Sequence, residues 1–432
     1  MSSEPVRVGL LGCGNVGGAL VHLLATEADS ITARTGLRIE VARVAVRNVG
    51  KERGADLDPA LLTHDAAAVA TAPDVDVVVE VIGGIEPARG LILSALKSGK
   101  PVVTANKELL ANVGTELAQV AAANGVDLLY EASVAGGIPL IRPLRESLAG
   151  ERIHRVVGIV NGTTNYILTR MTEEGATYVE ALAEAQSLGY AERDPTADVE
   201  GFDASAKAAI IATVAFGAEV VAGDVYREGI SGVTADDIAV ADRLGYVVKL
   251  LAVAEKVTAN GAPAVTARVH PTMVPKDHPL ASVRGSFNAV FIEGEAVGEL
   301  MLYGRGAGGM PTASAVLGDL IDAAHNLRAG GGSRTALVQK ATVVPIDELV
   351  AQYYLNVDVV DRPGVLAAVA TVFGEHSVSI RSMEQAGLGD EARLIFITHS
   401  ARERDMQATV AGLHQLDAVK RVGSLLRVLG AE

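Results

Sequence analysis

A single cysteine, Cys13, in a chain of 432 residues leaves no partner for an intrachain disulfide and no thiolate pair for a structural metal centre. That fits a reducing compartment. Basic residues are also in deficit: 37 lysines and arginines face 52 aspartates and glutamates, a net charge of -15 that argues against a phosphate backbone as the main partner. Nucleic acid is not expected as a partner. No apolar run approaches the ~20 residues of a membrane-spanning helix. The N-terminal MSSEPVRVGLLGCGNVGG lacks a basic region followed by a long apolar stretch, so no signal peptide is read and a cytoplasmic location without a membrane partner is expected. Nine histidines show no H-E-x-x-H spacing, which leaves no basis for a catalytic zinc.

What is present is the size of two to four domains and the composition of an ordinary globular chain, 49% hydrophobic and 21% charged. An apolar run at 6–11 ends in Gly12-Cys13-Gly14-Asn15-Val16-Gly17, and apolar residues then recur at helical spacing. In this strand-loop-helix order the first glycine makes the turn, the second admits a pyrophosphate, and the third lets helix and strand pack closely. Cys13 then reads as a space filler within a dinucleotide loop.

A second strand, IEVARVAV, runs into Arg47, where an NAD-specific chain usually carries an acid for the ribose hydroxyls. With Lys51 and Arg53 nearby, Arg47 could receive the 2′-phosphate of NADP, so the cofactor leans to NADP with NAD possible. VDVVVEVIGG has the continuous apolar character of a buried parallel strand, and Gly83-Gly84 at its end would bring backbone close to a ligand. The strand VVTAN ends at Lys107, a candidate site residue because ligands gather at such strand ends. Glu131, followed by the carbonyl-rich loop SVAGGI, is a weaker candidate for a hard cation.

Between 189 and 207, GYAERDPTADVEGFDASAK crowds Glu192, Asp194, Asp198, Glu200 and Asp203 ahead of Lys207, which stands in an alanine-rich helix. Asp203 and Lys207 are four apart and share a helix face. A buried lysine needs acidic company to keep its proton. An ammonium there can donate a proton to a reacting group, and a neutral amine can accept one.

Taken with GCGNVGG, TANKE and VNGTTNYIL, this segment closely resembles the homoserine dehydrogenase family across most of residues 1–340. The resemblance implies reversible NAD(P)-linked interconversion of L-homoserine and L-aspartate 4-semialdehyde in threonine, methionine and isoleucine biosynthesis. It implies that Lys207 transfers the proton, that Glu192, Asp198 and Asp203 hold the substrate, and that Lys107 lies near cofactor and substrate. It also implies a sodium ion held by Glu131 with backbone oxygens of Val134, Gly136 and Ile138. The glycine-rich turn at 304–311 matches too, implying that Gly308 touches the cofactor and that a late helix, about 311–330, returns to the nucleotide domain.

After the stretch RAGGGSRT the chain starts again with a βαββαβ order of strands and helices. Its turn DRPGVL resembles the ACT-domain signature, implying an amino-acid effector, L-threonine, with Asp361 and Gly364 as candidate contacts. Its edge strands favour pairing with a second chain, and a homodimer or homotetramer is expected. The expected fold is α/β: a Rossmann-type domain at 1–145, an α+β catalytic and dimerisation domain at 146–340, a linker at 341–352, and the ACT-like domain at 353–432. The competing reading is a non-catalytic NADP-binding sensor of an amino acid. An aspartate-semialdehyde dehydrogenase would need a catalytic cysteine in its substrate domain, and Cys13 lies in the phosphate loop.

Overall fold

The computed structural model describes residues 4–51, 53, 56–259, 261–332, 338–387 and 390–430, so positions 333–335 of the RAGGGSRT stretch lie outside the described residues. The chain forms two compact units, one of residues 1–156, 206–223 and 288–341, the other of residues 157–205, 224–287 and 342–432. Among the described residues no helix is long and apolar enough to cross a membrane.

The first unit is built on a six-stranded parallel sheet: β1 (Val6–Leu11), β2 (Ile39–Ala45), β3 (Leu62–Thr63), β4 (Val77–Glu80), β5 (Val102–Thr104) and β6 (Leu128–Leu129), in the order β3-β2-β1-β4-β5-β6. Its central strands are covered on both faces, which is why they read as unbroken apolar runs: Val8, Leu10, Leu11, Val77, Val78 and Val79 are all fully buried. The order reverses between β1 and β4, and in such sheets ligands bind at the carboxyl ends flanking that reversal. The late helix Gly309–Arg328 sends Ala313, Val316, Leu320, Ala323 and Ala324 into the same core cluster as β1 and β4. Small residues on that face let it lie close to the sheet.

In the second unit the strands Tyr246–Ala259 and Ala262–Pro275 pair antiparallel along their full length. Helices Gly162–Glu174 and Tyr178–Ser187 begin at N-caps that the sequence supplies: the Asn161 side chain accepts from the Thr164 amide, and Thr177 with Glu180 forms a capping box. NGTTN, read as a turn from sequence, is therefore the cap and opening turn of a helix.

The C-terminal residues of this unit have the expected βαββαβ order. Strand Val350–Val360 is flanked by Glu391–Thr398 and Val419–Val428, with Ile380–Gly387 outermost, and helices Val365–Glu375 and Glu403–Leu413 contribute to one apolar cluster. One sheet edge is taken up at its end, where Val419–Val428 pairs with Ala262–Pro275 at Thr272 with Arg427 and Met273 with Val428. The other edge, Ile380–Gly387, is exposed along nearly its whole length.

Candidate active site

Strand β1 ends in Gly12, whose φ of +99° is left-handed and whose added Cβ would stand 2.9 Å from the Val81 carbonyl oxygen. A Cβ on Gly17 would stand 2.4 Å from the Gly12 oxygen, whereas one on Gly14 would meet nothing within 4 Å. The loop thus closes on itself at two glycines and opens at the third. Gly14 caps the helix Asn15–Thr26, so the amides of Asn15, Val16 and Gly17 lie in the first turn, where no intrahelical acceptor exists and an anion is favoured. Burial pushes the Cys13 thiol up, against the thiolate a nucleophile would need.

Arg47 lies exposed two positions beyond the end of β2. Arg53 is committed locally, donating to the carbonyls of Lys51 at 2.9 Å and Asn48 at 2.7 Å. It braces the loop that presents Arg47.

At the end of β4 the fully buried Glu80 receives the amides of Ile82 at 2.7 Å and Gly83 at 3.1 Å and the Thr104 hydroxyl at 2.6 Å. It ties the turn at Gly83 to the end of β5. Asn106 completes this tie by donating to the Gly84 carbonyl at 2.6 Å while its own oxygen caps the helix Lys107–Ala123. Lys107 is consequently the first residue of a helix that starts beside the Gly83-Gly84 backbone. Glu80 and Asn106 were not singled out from sequence. The signal was present, since a carboxylate inside an apolar strand must find donors when buried.

Glu131 is buried, and its carboxylate accepts three backbone amides, Leu140 at 2.5 Å, Ile141 at 2.7 Å and Arg142 at 2.8 Å. It serves as an anionic cap for the turns that follow Pro139. The Glu131 amide donates in turn to Asp319 of the late helix at 2.7 Å. Burial pushes the Asp319 carboxyl up to about 7, opposed by the Glu131 amide and Arg142. Val134, Gly136 and Ile138 lie buried on the intervening loop, where Gly136 passes so close to Gly306 that a Cβ would stand 2.3 Å from its oxygen. Gly308 caps the late helix, and Gly309 lies against the first turn of the phosphate-loop helix, its Cβ position 3.0 Å from the Asn15 oxygen.

In the second unit the two side-chain hydrogens of the Asn161 amide reach two carboxylates, Asp198 at 2.7 Å and Asp203 at 2.9 Å. Asp198 rides on the short helix Thr196–Val199 and Asp203 on the helix Phe202–Phe216. Two acids converging on one amide make a concentrated negative site suited to an ammonium group. Glu192 lies exposed in the preceding loop, which is held by its own carbonyl accepting from Gln186 at 3.0 Å and by Thr163 donating to the Tyr190 carbonyl at 2.6 Å. Lys207, one helical turn beyond Asp203 on the same helix, falls among residues 206–223 of the first unit and is 8% exposed. Asn161 was missed as a site residue; its place in NGTTN marked it only as a turn.

Asp361 and Gly364 occupy the exposed turn between Val350–Val360 and Val365–Glu375, with Gly364 left-handed at φ +90° as the N-cap. Among the described residues no group of three or more His, Cys, Asp or Glu side chains is arranged to hold a metal.

A parallel sheet with a glycine phosphate loop, joined to a unit with paired acids and followed by a βαββαβ module, defines an NAD(P)-dependent oxidoreductase that carries an ACT domain. Comparison with known proteins narrows the class. Residues 12–131 match the family described as homoserine dehydrogenase, NAD binding domain, residues 139–321 match homoserine dehydrogenase, and residues 353–418 match the ACT domain. The homoserine dehydrogenase of Corynebacterium glutamicum is 51% identical over 98% of this chain and 95% of its own, and that of Mycobacterium tuberculosis is 50% identical over 99% and 98%. A solved homoserine dehydrogenase from Thiobacillus denitrificans superposes with a TM-score of 0.91 at 41% identity, covering 99% of this chain and 98% of that one. A hyperthermophilic archaeal homoserine dehydrogenase mutant, solved in complex with NADPH, matches at a TM-score of 0.61 and 30% identity over 75% of this chain and 98% of that one. The chain belongs to the homoserine dehydrogenase family and is an oxidoreductase acting on a CH–OH group.

Proposed function

We propose that the enzyme uses NADP(H) in preference to NAD(H), that Asp198 and Asp203 with Glu192 hold the amino-acid substrate, and that Lys207 carries the proton. The observation that supports the substrate reading most is the Asn161 amide shared by Asp198 and Asp203. Homoserine is a zwitterion, and a pair of carboxylates fixed by a neutral donor can receive its ammonium without the two acids splaying apart. Oxidation of its terminal CH–OH releases a hydride, which the nicotinamide takes up, and a proton from the hydroxyl, which a neutral Lys207 accepts; reduction runs the same exchange backwards with Lys207 as ammonium. Lys107, at the head of its helix, is the candidate donor toward the substrate carboxylate or reacting oxygen.

Exposed Arg47 supports the cofactor preference by offering a planar fork to a 2′-phosphate, and the NADPH found with the archaeal relative is consistent with it. The loop of Val134, Gly136 and Ile138 is the candidate sodium site. Because the Glu131 carboxylate already receives three amides, it would serve mainly by shaping that loop, leaving backbone oxygens as the principal ligands. L-Threonine is the proposed effector of the ACT domain at Asp361 and Gly364, placing the enzyme in threonine, methionine and isoleucine biosynthesis, and the proposed assembly is a homodimer or homotetramer. A spectrophotometric assay of homoserine oxidation with each cofactor, with and without threonine, tests these points. The expected result is a kcat/KM at least tenfold higher with NADP and a threonine-dependent loss of rate; higher kcat/KM with NAD would overturn the cofactor assignment.

A further inference from the structure

We propose that Glu228 and Arg427 are positioning residues for the substrate acids, so that the last strand of the C-terminal domain holds the turn bearing Asp198 and Asp203 in register. This inference rests on the reading of those two aspartates as substrate-binding groups.

Arg427 is 2% exposed on the strand Val419–Val428. Its guanidinium makes a bidentate pair with Glu403, at 2.9 and 2.7 Å, and its remaining arm donates to Glu228 at 2.7 Å. Glu403 also receives the Tyr353 hydroxyl at 3.0 Å. The C-terminal domain thus fixes the arginine with its own residues and turns one arm outward. Glu228 directly follows the short strand Tyr226–Arg227, which pairs with Arg268 and Val269, and its amide donates to the Val269 carbonyl at 2.8 Å. Its position is therefore set from both backbone and side chain.

From Glu228 the contacts run to the residues that adjoin the acids. The Ile230 amide donates at 2.8 Å to the carbonyl of Val199, the last residue of the helix that carries Asp198. Gly229 passes so close that a Cβ there would stand 2.3 Å from the Val199 oxygen and 2.7 Å from the Glu200 Cα. The Arg227 guanidinium covers the Phe202 ring at 3.8 Å, one residue before Asp203. Segment 227–230 is therefore a clamp on segment 199–202, and Asn161 can bridge both acids only while that clamp holds its place. A charge-assisted bond to a desolvated arginine is a stiff anchor for it.

Homoserine KM, NADP KM and kcat are measured for full-length Glu228→Ala, Glu228→Gln, Arg427→Lys and Asp203→Asn, with Glu348→Ala, which removes an exposed ion pair to Arg404 in the same domain, as a control. Glu228→Ala should raise homoserine KM at least fivefold with NADP KM and kcat within twofold, Glu228→Gln should recover most of that loss, and the control should behave as wild type. A purely structural role would lower Tm without this selectivity. If Asp203→Asn raises homoserine KM but folded Glu228→Ala stays within twofold, this inference fails and the substrate reading stands. If Asp203→Asn has no effect, the substrate reading fails and takes the inference with it. Should Glu228→Ala not fold, Glu228→Gln and Arg427→Lys both retaining wild-type homoserine KM is the overturning result.

Discussion

Replacing Asn161 by aspartate changes one atom in a cluster whose distances allow the consequence to be worked out. The oxygen that caps the helix at Thr164 is retained, while the amine that bridges Asp198 at 2.7 Å and Asp203 at 2.9 Å becomes a third carboxylate oxygen. At an effective dielectric of about 20, each new like-charge pair costs about 6 kcal/mol at that separation. Holding a proton on an aspartate at pH 7 against its ordinary value near 3.9 costs only about 4 kcal/mol. The cluster therefore takes up a proton rather than remaining fully ionised, and the shared carboxyl's folded-state pKa rises above its unfolded value. For an acid shifted this way the native state binds more protons than the unfolded one between the two pKa values. The stability cost is accordingly absent at low pH, grows as pH rises, and is complete above the raised pKa. Asn161→Asp should thus lose stability relative to wild type progressively from pH 5 to pH 8, followed by thermal unfolding. One carboxylate also loses the hydrogen bond from residue 161, and a charge-assisted bond contributes about 1.5–3 kcal/mol, so homoserine kcat/KM should fall roughly 10- to 150-fold at pH 8. A difference in Tm that stays flat across that range, with kcat/KM within twofold of wild type, would refute both the geometry and the role assigned to it.

Lys207→Ala should lower kcat by about 100-fold or more, the usual scale for a general acid or base, and near-normal kcat in a folded variant removes it from the chemistry. Arg47→Ser should raise KM for NADP about tenfold or more while leaving KM for NAD within twofold, as expected for one lost arginine–phosphate contact; parallel changes would place the arginine outside the discrimination. Asp361→Ala should raise the threonine concentration for half-inhibition about tenfold with the uninhibited rate unchanged, and intact inhibition would remove this turn from the effector site. Lys249, buried and donating to the Asn165 side chain and the Val283 carbonyl, has its ammonium pulled down to about 8 by burial. Its native state therefore binds fewer protons than the unfolded chain between about pH 8 and 10.4, so stability should rise with pH there, by up to about 3 kcal/mol relative to Lys249→Met, in paired denaturant titrations; a flat difference would contradict the buried charge.

Which parts of this architecture could be read from sequence follows from how locally each is determined. The phosphate loop was readable because its three glycines answer to backbone geometry within six residues, and the steric distances at Gly12 and Gly17 are those requirements in numerical form. Strand β4 was readable as buried because both its faces are apolar, but the same pattern hid Glu80, whose donors come from the following loop and from Thr104 on the neighbouring strand. The crowding of acids from 192 to 203 was visible, while its sorting was not. Glu192 is exposed in a loop and Asp198 is brought to Asp203 by Asn161, which stands 37 and 42 positions away along the chain. Spacing along a chain carries no information about such a partner unless a motif happens to include it.

The C-terminal domain shows the same limit at larger scale, with a functional corollary. Its βαββαβ order and exposed turn follow from local alternation and from Asp361 to Gly364, so it reads as a self-contained module after a linker. In the structure it shares a compact unit with residues 157–205 and 224–287. Val419–Val428 continues the sheet of Ala262–Pro275, and the buried Asp237 at the head of helix Ala235–Arg243 receives Asn356 at 2.7 Å, Ser424 at 2.7 Å and Tyr354 at 3.3 Å. Arg427, held within the module by Glu403, turns its third arm to Glu228, and Asn356, Ser424 and Tyr354 of the module donate to Asp237 outside it. Deleting such a domain to test regulation would therefore take Arg427 from Glu228 and Asn356, Ser424 and Tyr354 from Asp237, and so disturb the substrate unit itself. Loss of activity on truncation would not distinguish a sensor from a structural wall, whereas point variants at Asp361 and at Glu228 separate effector binding from positioning of the substrate acids, because only the second should alter homoserine KM when no effector is present.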